Sequence, residues 1–279
     1  GDCSARFVAL NHGKDVVEID IKSGAGQRAV LDLARTSDVF VHNWAPGKAA
    51  ELRLDADDLH GVNPRLVYAY ASGWGAALSA GAPPGVDFMV QAYAGLGELV
   101  GGPGAPRPSL MTLLDVLGAH VCVAGILAAL VDRQRSGHGH RVDSSLLGAA
   151  DLLLAEELAA AGAPSQGPRP GALLLARVFD TADEPLAVAV RSATTLAALC
   201  RFLGMPVPEV SDPVPAIESR LAPVLAGAPA LTWRNTLHRA GVPAAVVRRD
   251  LVALPADPRF ASRFAAHGCS VVTTPWRFS

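Results

Sequence analysis

Apolar and polar positions change period several times along this chain, and the changes mark its elements. Val16-Val-Glu-Ile-Asp-Ile21 alternates and is β-branched, which predicts a strand. Gly24 to Thr36 carries Ala29, Leu31, Leu33 and Ala34 at helical spacing. Asp38-Val-Phe-Val-His42 reads as a short buried strand and Asn43-Trp-Ala-Pro-Gly47 as a turn. Lys48 to Leu54 begins another helix, and Leu66 to Ala71 is a third strand ending at Ser72-Gly-Trp-Gly75. Strand, helix, strand, helix, strand is the signature of an α/β fold, with ligands expected beyond the C-terminal ends of the strands.

The Ala/Gly/Pro-rich residues 76 to 85 predict a loop, and Asp87 to Leu99 a helix. Gly101-Gly-Pro-Gly-Ala-Pro106 reads as a mobile loop. Residues 116 to 134 make a long buried helix and 141 to 160 another. Pro164 to Pro170 is the clearest linker. Beyond it, Ala172 to Phe179 and Leu186 to Arg191 look like paired strands around Asp180 to Glu184. Helices follow at 193–203, 214–226 and 230–240, then a turn into a strand at 241–247, a broken helix at 251–264 and a strand-like tail from Val271. The expected organisation is a Rossmann-like α/β domain with a parallel sheet over 1–163, a smaller α+β domain over 164–265, and a tail over 266–279 returning toward the first.

Composition narrows the function classes. The 279 residues hold 24 basic and 26 acidic side chains, so no basic excess draws nucleic acid. The short basic cluster at 133–141 reads as a solvated helix end and turn. Mean hydropathy is +0.28, carried by Ala, Val and Leu. No stretch reaches about 18 uninterrupted apolar residues, so no membrane span is expected. Cys3, Cys122, Cys200 and Cys269 lie far apart without CxxC spacing. They read as reduced thiols, Cys122 and Cys200 in cores, which together with the absence of a signal-like start suggests a cytoplasmic protein.

The chemistry rests on carboxylates. Gly95-Leu-Gly97 with Gly101 and Gly102 fits neither phosphate-loop spacing. Gly137-His-Gly-His140 lacks a third ligand at helical spacing, so no metal is expected. No GxSxG elbow and no HExxH motif occurs. Asp115 and Asp87 remain as candidates. Asp115 stands between two apolar stretches where a helix would start, and a helix N-terminus is where a carboxylate is favoured. Each aspartate also fits a plain N-cap.

These residues resemble the family III CoA-transferases, the CaiB/BaiF group that includes formyl-CoA transferase and the α-methylacyl-CoA racemases. The matching pieces run in family order: Leu10 to Lys14 into Val17-Glu-Ile-Asp-Ile-Lys22; Ala34 to Gly47; Asn63 to Gly75; Gly85-Val-Asp-Phe-Met-Val-Gln-Ala-Tyr-Ala-Gly95; Leu114-Asp115; Gly125 to Leu130; Ser136 to Gly139; and Trp233 through Ala245. The resemblance implies that Asp115 is the nucleophile that takes an acyl group from acyl-CoA through a mixed anhydride and then an aspartyl-CoA thioester. It implies coenzyme A contacts at Ile19, Asp20, Ile21 and Lys22, at Asn43, Trp44 and Ala45, and at Gly85, Val86, Asp87, Phe88, Met89 and Val90. It also implies acyl-CoA and a small carboxylic acid as partners, and an interlocked homodimer. The apolar flanks of Asp115 suit exclusion of water from the anhydride.

The departures from the family pattern are specific. The strand–helix–strand unit with which family members begin, and its phosphate-binding arginine, are not seen; a second family arginine aligns with Glu51, with Lys48 or Arg53 as candidates to replace it. The racemase histidine aligns with Val86, which argues against two-base proton transfer at the α-carbon. An acyl-CoA isomerase using another base and a non-catalytic CoA-binding member remain as alternatives. Arg107 is the one cation in the loops expected to shape the acyl pocket; a surface role is the first reading, and pairing with a second carboxylate on a substrate the alternative.

Overall fold

The computed structural model describes residues 4–75, 83–101, 104–107, 109–161, 175–207, 214–250, 253–266 and 270–273. The chain divides into two units, Val16–Ser165 and a second that joins Gly1–Asp15 to Gln166–Ser279. The division near residue 165 falls at the expected linker, which itself lies outside the described residues. Residues 1–15, expected in the large domain, and the tail from 266, expected to return toward it, group instead with the C-terminal unit. The cause is local: helix α1 (Ala5–Asn11) packs against the strand formed by Ser270–Val272.

In the unit Val16–Ser165 the order is α2 (Gly24–Thr36), β1 (Val39–His42), α3 (Lys48–Glu51), α4 (Ala56–Val62), β2 (Val67–Ser72), α5 (Asp87–Tyr93), α6 (Leu96–Gly101), α7 (Leu113–Ser136), β3 (Arg141–Ser145), α8 (Leu146–Leu153) and α9 (Ala155–Ala161). The strands form a parallel sheet in the order β1-β2-β3, with Val39 opposite Val67 and Tyr68 opposite Arg141. The strand period of two sorts the side chains of β2 between two layers. Val67 and Ala69 pack with Cys122, Ile126 and Ala129 of α7. Tyr68 and Tyr70 pack with Ala34 of α2 and Leu59 of α4. Helices on both faces of a parallel sheet are the expected α/β layering.

Helix α7 lies close because its inner face is small. A Cβ on Gly118 would come within 2.9 Å of Leu146 Cδ2, and one on Gly125 within 2.8 Å of Val142 Cγ1. At its end, Arg133 is buried and not solvated as its basic neighbourhood suggests. Its guanidinium donates to the Arg65 carbonyl at 3.0 Å and pairs with Asp38 at 2.8 Å, joining α7 to the starts of β1 and β2. The outer face carries Val116, Val123, Leu127 and Val131, all more than half exposed. By length and composition α7 is apolar enough to cross a membrane, although His120 interrupts its apolar run.

Several expected elements change. Val16 and Val17 are exposed, Ile19 and Ile21 are half-buried, and the segment pairs with no strand among the described residues. The helix expected at 87–99 is two helices, broken at Gly95, whose φ of 81° no helix accommodates. The helix expected at 141–160 begins as strand β3 and turns helical only at Leu146. Residues 76–82, 102–103 and 108 lie outside the described residues, which leaves that part of the expected loops without a description.

The other unit continues with β4 (Leu175–Phe179), β5 (Leu186–Val190), α10 (Ala193–Phe202), α11 (Val214–Leu225), α12 (Ala230–Arg239) and β6 (Ala244–Val246). Then come α13 (Ala253–Ala256), a 3₁₀ turn at Pro258–Arg263, β7 (Phe264–Ala266) and β8 (Ser270–Val272). Strands β4, β5 and β6 form an antiparallel sheet backed by the three longer helices. That is the α+β arrangement expected from the sequence.

Candidate active site

The ends of the parallel strands bring the candidate residues into place. After β2, Gly73 crosses Gly85 backbone to backbone so closely that a Cβ on either would overlap the other. Trp74 Nε1 donates to the Pro83 carbonyl at 2.7 Å and holds that crossing. The chain then enters α5 with Val86 as N-cap and Asp87 as its first helical residue. Asp87 is therefore one residue inside the helix and not its cap. Its side chain is only 8 % exposed.

A buried carboxylate needs donors, and Asp87 has two. Oδ2 accepts the backbone N–H of Asp115 at 2.7 Å, and Oδ1 accepts from Gln91 Nε2. Gln91 lies four residues along α5, on the same helix face. It is itself buried, and its Nε2 also donates to the Met111 carbonyl at 3.0 Å. Gln91 was not singled out from sequence; the i,i+4 spacing from Asp87 was its one visible signal.

Helix α7 begins at Leu113 with Thr112 as an N-cap that makes no side-chain cap bond. Asp115 is the third helical residue, and its N–H is among those that a helix leaves unpaired. Asp87 supplies the missing acceptor from another helix. The two aspartates thus separate in role: Asp87 is buried and fixes main chain, while Asp115 is exposed and sits where the helix dipole favours an anion. In this chain the apolar flanks of Asp115 do not bury it. Leu114 points inward and Val116 outward, more than half exposed.

The remaining expected contacts fall at the same end of the sheet or beside it. Ile19–Lys22 forms the turn into α2: the Lys22 N–H donates to Asp20 Oδ1 at 3.1 Å and Ser23 Oγ to the Asp20 carbonyl at 2.8 Å. Ile21 and Trp44 pack against the same cluster as Tyr68 and Tyr70. Asn43, Trp44 and Ala45 leave β1 at its C-terminal end, with Asn43 and Ala45 exposed. Lys48, a candidate to replace the missing family arginine, is paired with Glu51 at 2.6 Å. Within Gly85–Val90, Asp87 and Val90 are buried and Val86, Phe88 and Met89 are exposed. The two glycine-flanked histidines serve their turn: His140 Nε2 meets Asp132 at 2.8 Å and His138 Nδ1 the Ser136 carbonyl at 2.8 Å.

Beside Ala45 a cavity of about 280 Å³ is lined by His42, Tyr68, Tyr70, Asp55 and Arg141. His42 Nδ1 accepts the Trp44 N–H at 3.3 Å, so Nε2 carries the proton toward Tyr68 Oη at 2.7 Å. Burial, with the Arg141 charge adding to it, holds His42 below its ordinary pKa, in keeping with a neutral ring. Burial also pushes the Tyr68 phenol up to about 12.

The chain is similar to known proteins over most of its length. Residues 1–268 match the family model described as CoA-transferase family III. The acetyl-CoA:oxalate CoA-transferase of Acetobacter aceti is 30% identical over 87% of this chain and 67% of its own length. The mouse succinyl-CoA:glutarate CoA-transferase is 29% identical over 73% of this chain, and that match spans 48% of its length. The crystal structure of Rv3272 from Mycobacterium tuberculosis superposes with a TM-score of 0.80 at 27% identity, covering 97% of this chain and 78% of that one.

Proposed function

The chain belongs to CoA-transferase family III, and from that premise we propose that it moves coenzyme A from an acyl-CoA thioester to a carboxylic acid, with Asp115 as nucleophile. The observation that carries the reading is the anchoring of the Asp115 main chain by buried Asp87, which leaves the Asp115 carboxylate exposed at a helix N-terminus beyond the strand ends. The relatives support it through their names, which pair an acyl-CoA with oxalate or glutarate. In the proposed cycle the Asp115 carboxylate attacks the thioester carbonyl; a C–O bond forms, the C–S bond breaks, and CoA thiolate leaves. The thiolate attacks the aspartyl carbonyl of the anhydride, the acyl group departs as its carboxylate, and an aspartyl-CoA thioester remains. The acceptor carboxylate attacks that thioester and expels thiolate. The thiolate then takes the acceptor acyl group and restores Asp115. No proton changes hands, so a carboxylate nucleophile needs no general base.

Ile19–Lys22, Asn43–Ala45 and Gly85–Val90 are the stretches proposed to hold coenzyme A. An anhydride survives only where water is excluded. Because Asp115 is exposed in the single chain, the proposal includes cover by bound acyl-CoA and by a second copy of the chain. The apolar stripe of Val116, Val123, Leu127 and Val131 on α7 supports a homodimer, since a contiguous apolar face is disfavoured in water.

The test is a mass scan of the protein incubated with a panel of acyl-CoAs, with Asp115→Ala alongside. A CoA or acyl adduct on the peptide that carries Asp115, lost in the variant, supports the reading. Acyl-CoA binding without any adduct would defeat it.

A further inference from the structure

Two segments frame Asp115, Gly85–Gly95 and Ser109–Thr112, and neither brings it a cation. They are tied to it and to each other: Asp87 Oδ2 accepts the Asp115 N–H at 2.7 Å, and Gln91 Nε2 donates to the Met111 carbonyl at 3.0 Å. From Leu66 to Asp132 the sequence holds a single Lys or Arg, Arg107. Its N–H donates to the Gly97 carbonyl at 2.8 Å, and its side chain lines a separate cavity with Phe88 and Ala92. The buried Gln91–Asp87 pair stands between that cavity and the Asp115 main chain. The ionisable group in contact with the Asp115 main chain is thus another acid, Asp87.

What the two segments expose is apolar. Val86, Met89 and Tyr93 are exposed and recur at i, i+3 and i+7, so they share one face of α5, turned from buried Asp87 and Gln91. That face runs for about 10 Å at the helical rise per residue. On the segment that leads into α7, Leu110 is 94% exposed and Met111 69%. Five large apolar side chains left in water around one carboxylate mark a surface that a ligand covers.

We propose that this surface seats the acyl group taken up by Asp115 and selects aliphatic monocarboxylic acids, with Leu110 and Met111 as specificity residues. The inference rests on the transfer reaction proposed above and names its substrate class. Val86 and Met89 lie in a stretch proposed to hold coenzyme A, so an acyl-CoA attacked at Asp115 lays its chain on the same surface. Each methylene buried there is worth up to ~4-fold in affinity. A second carboxylate on the substrate finds no cation in either segment, and a charge desolvated without a partner is costly. Oxalate and glutarate, which carry one, are disfavoured.

Pentanoyl-CoA and glutaryl-CoA differ by a terminal methyl against a terminal carboxylate. Their binding is to be measured by isothermal titration on Asp115→Ala, which cannot react, and their turnover on the wild type with acetate as acceptor. Pentanoyl-CoA is expected to bind at least ~10-fold more tightly, with kcat/KM in the same order. Met111→Gln and Leu110→Asn keep the volume of exposed side chains and should bring that ratio toward one, while Met111→Leu should retain it. Met111→Arg supplies the missing cation and should turn the preference toward glutaryl-CoA. Equal affinity, tighter glutaryl-CoA or no binding of either overturns the proposal, as does a ratio that Met111→Gln and Leu110→Asn leave unmoved. An Asp115 adduct formed equally from both acyl-CoAs sinks the substrate class and keeps the transfer reaction. A pentanoyl preference in binding without adduct or turnover in the wild type sinks the transfer reaction and leaves the acyl surface standing.

Discussion

Oδ2 of Asp87 accepts the backbone N–H of Asp115 at 2.7 Å, so one carboxylate fixes the main chain from which another projects. The bond replaces the side-chain cap that Thr112 does not make. It ties the start of α7 to α5, and through Gly85 and Gly73 to the end of β2.

Asp87→Asn is the sharpest test of that relationship. One oxygen could still accept from Asp115, but the new amide would face Gln91 Nε2, donor against donor. Turning the Gln91 amide over relieves that clash and points an oxygen at the Met111 carbonyl. Neither arrangement satisfies all the groups, and an unmade buried hydrogen bond costs about 1–3 kcal/mol. Thermal and denaturant unfolding should show that loss in Asp87→Asn, and CoA transfer should fall with it. Unchanged stability and turnover would mean that the pair positions nothing.

Asp115→Asn should behave oppositely. Its side chain is exposed and its N–H is retained, so removing the charge should cost the dipole contribution of about 0.3–1 kcal/mol. Transfer and adduct formation should be abolished, because an amide cannot form the anhydride. Loss of stability comparable to Asp87→Asn would assign Asp115 a structural role instead.

Much of this was legible in the sequence, for reasons tied to particular residues. α2, β1 and β2 carry unambiguous periods, and Asp87 and Asp115 stood out as carboxylates in apolar surroundings. Strand β3 was not legible: Arg141-Val-Asp-Ser-Ser holds a single large apolar residue and runs into α8 without punctuation. Val16–Ile21 alternates like a strand, but pairing needs a neighbour, and among the described residues none lies alongside it. The burial of Asp87 and the exposure of Asp115 were illegible because the bond that decides them spans 28 residues. Arg133 likewise read as surface charge, since its carbonyl partner at Arg65 is distant in sequence.

Gly26 predicts a link between packing and coenzyme A. A Cβ there would overlap the Asp20 carbonyl, in the turn proposed to contact the nucleotide. Backbone cannot yield as a side-chain tip can, so Gly26→Ala should cost about 1–3 kcal/mol as an overpacking change. Titration with free coenzyme A should show weaker binding, while Gly61→Ala, with nothing within 4 Å, serves as the helical control. Equal affinity of both variants for coenzyme A would remove Ile19–Lys22 from the proposed site.

His42 sets a pH dependence whose sign follows from its neutral state. Burial, then the Arg141 charge, lowers its pKa in the folded chain below the ordinary 6.5, while the unfolded chain keeps that value. The stabilisation is therefore complete above pH 6.5. It is lost as pH falls from there through the folded pKa, because the unfolded state takes up the proton first. Protonation in the folded state would also put a proton on Nδ1, which accepts the Trp44 N–H, and so disturb the Asn43–Ala45 turn. Unfolding free energy measured between pH 8 and pH 5 should decline below 6.5, and coenzyme A affinity with it. In His42→Gln, which keeps a polar contact to Tyr68 without a titrating ring, that decline should flatten. A wild-type curve with the same slope as the variant would show that His42 titrates equally in both states.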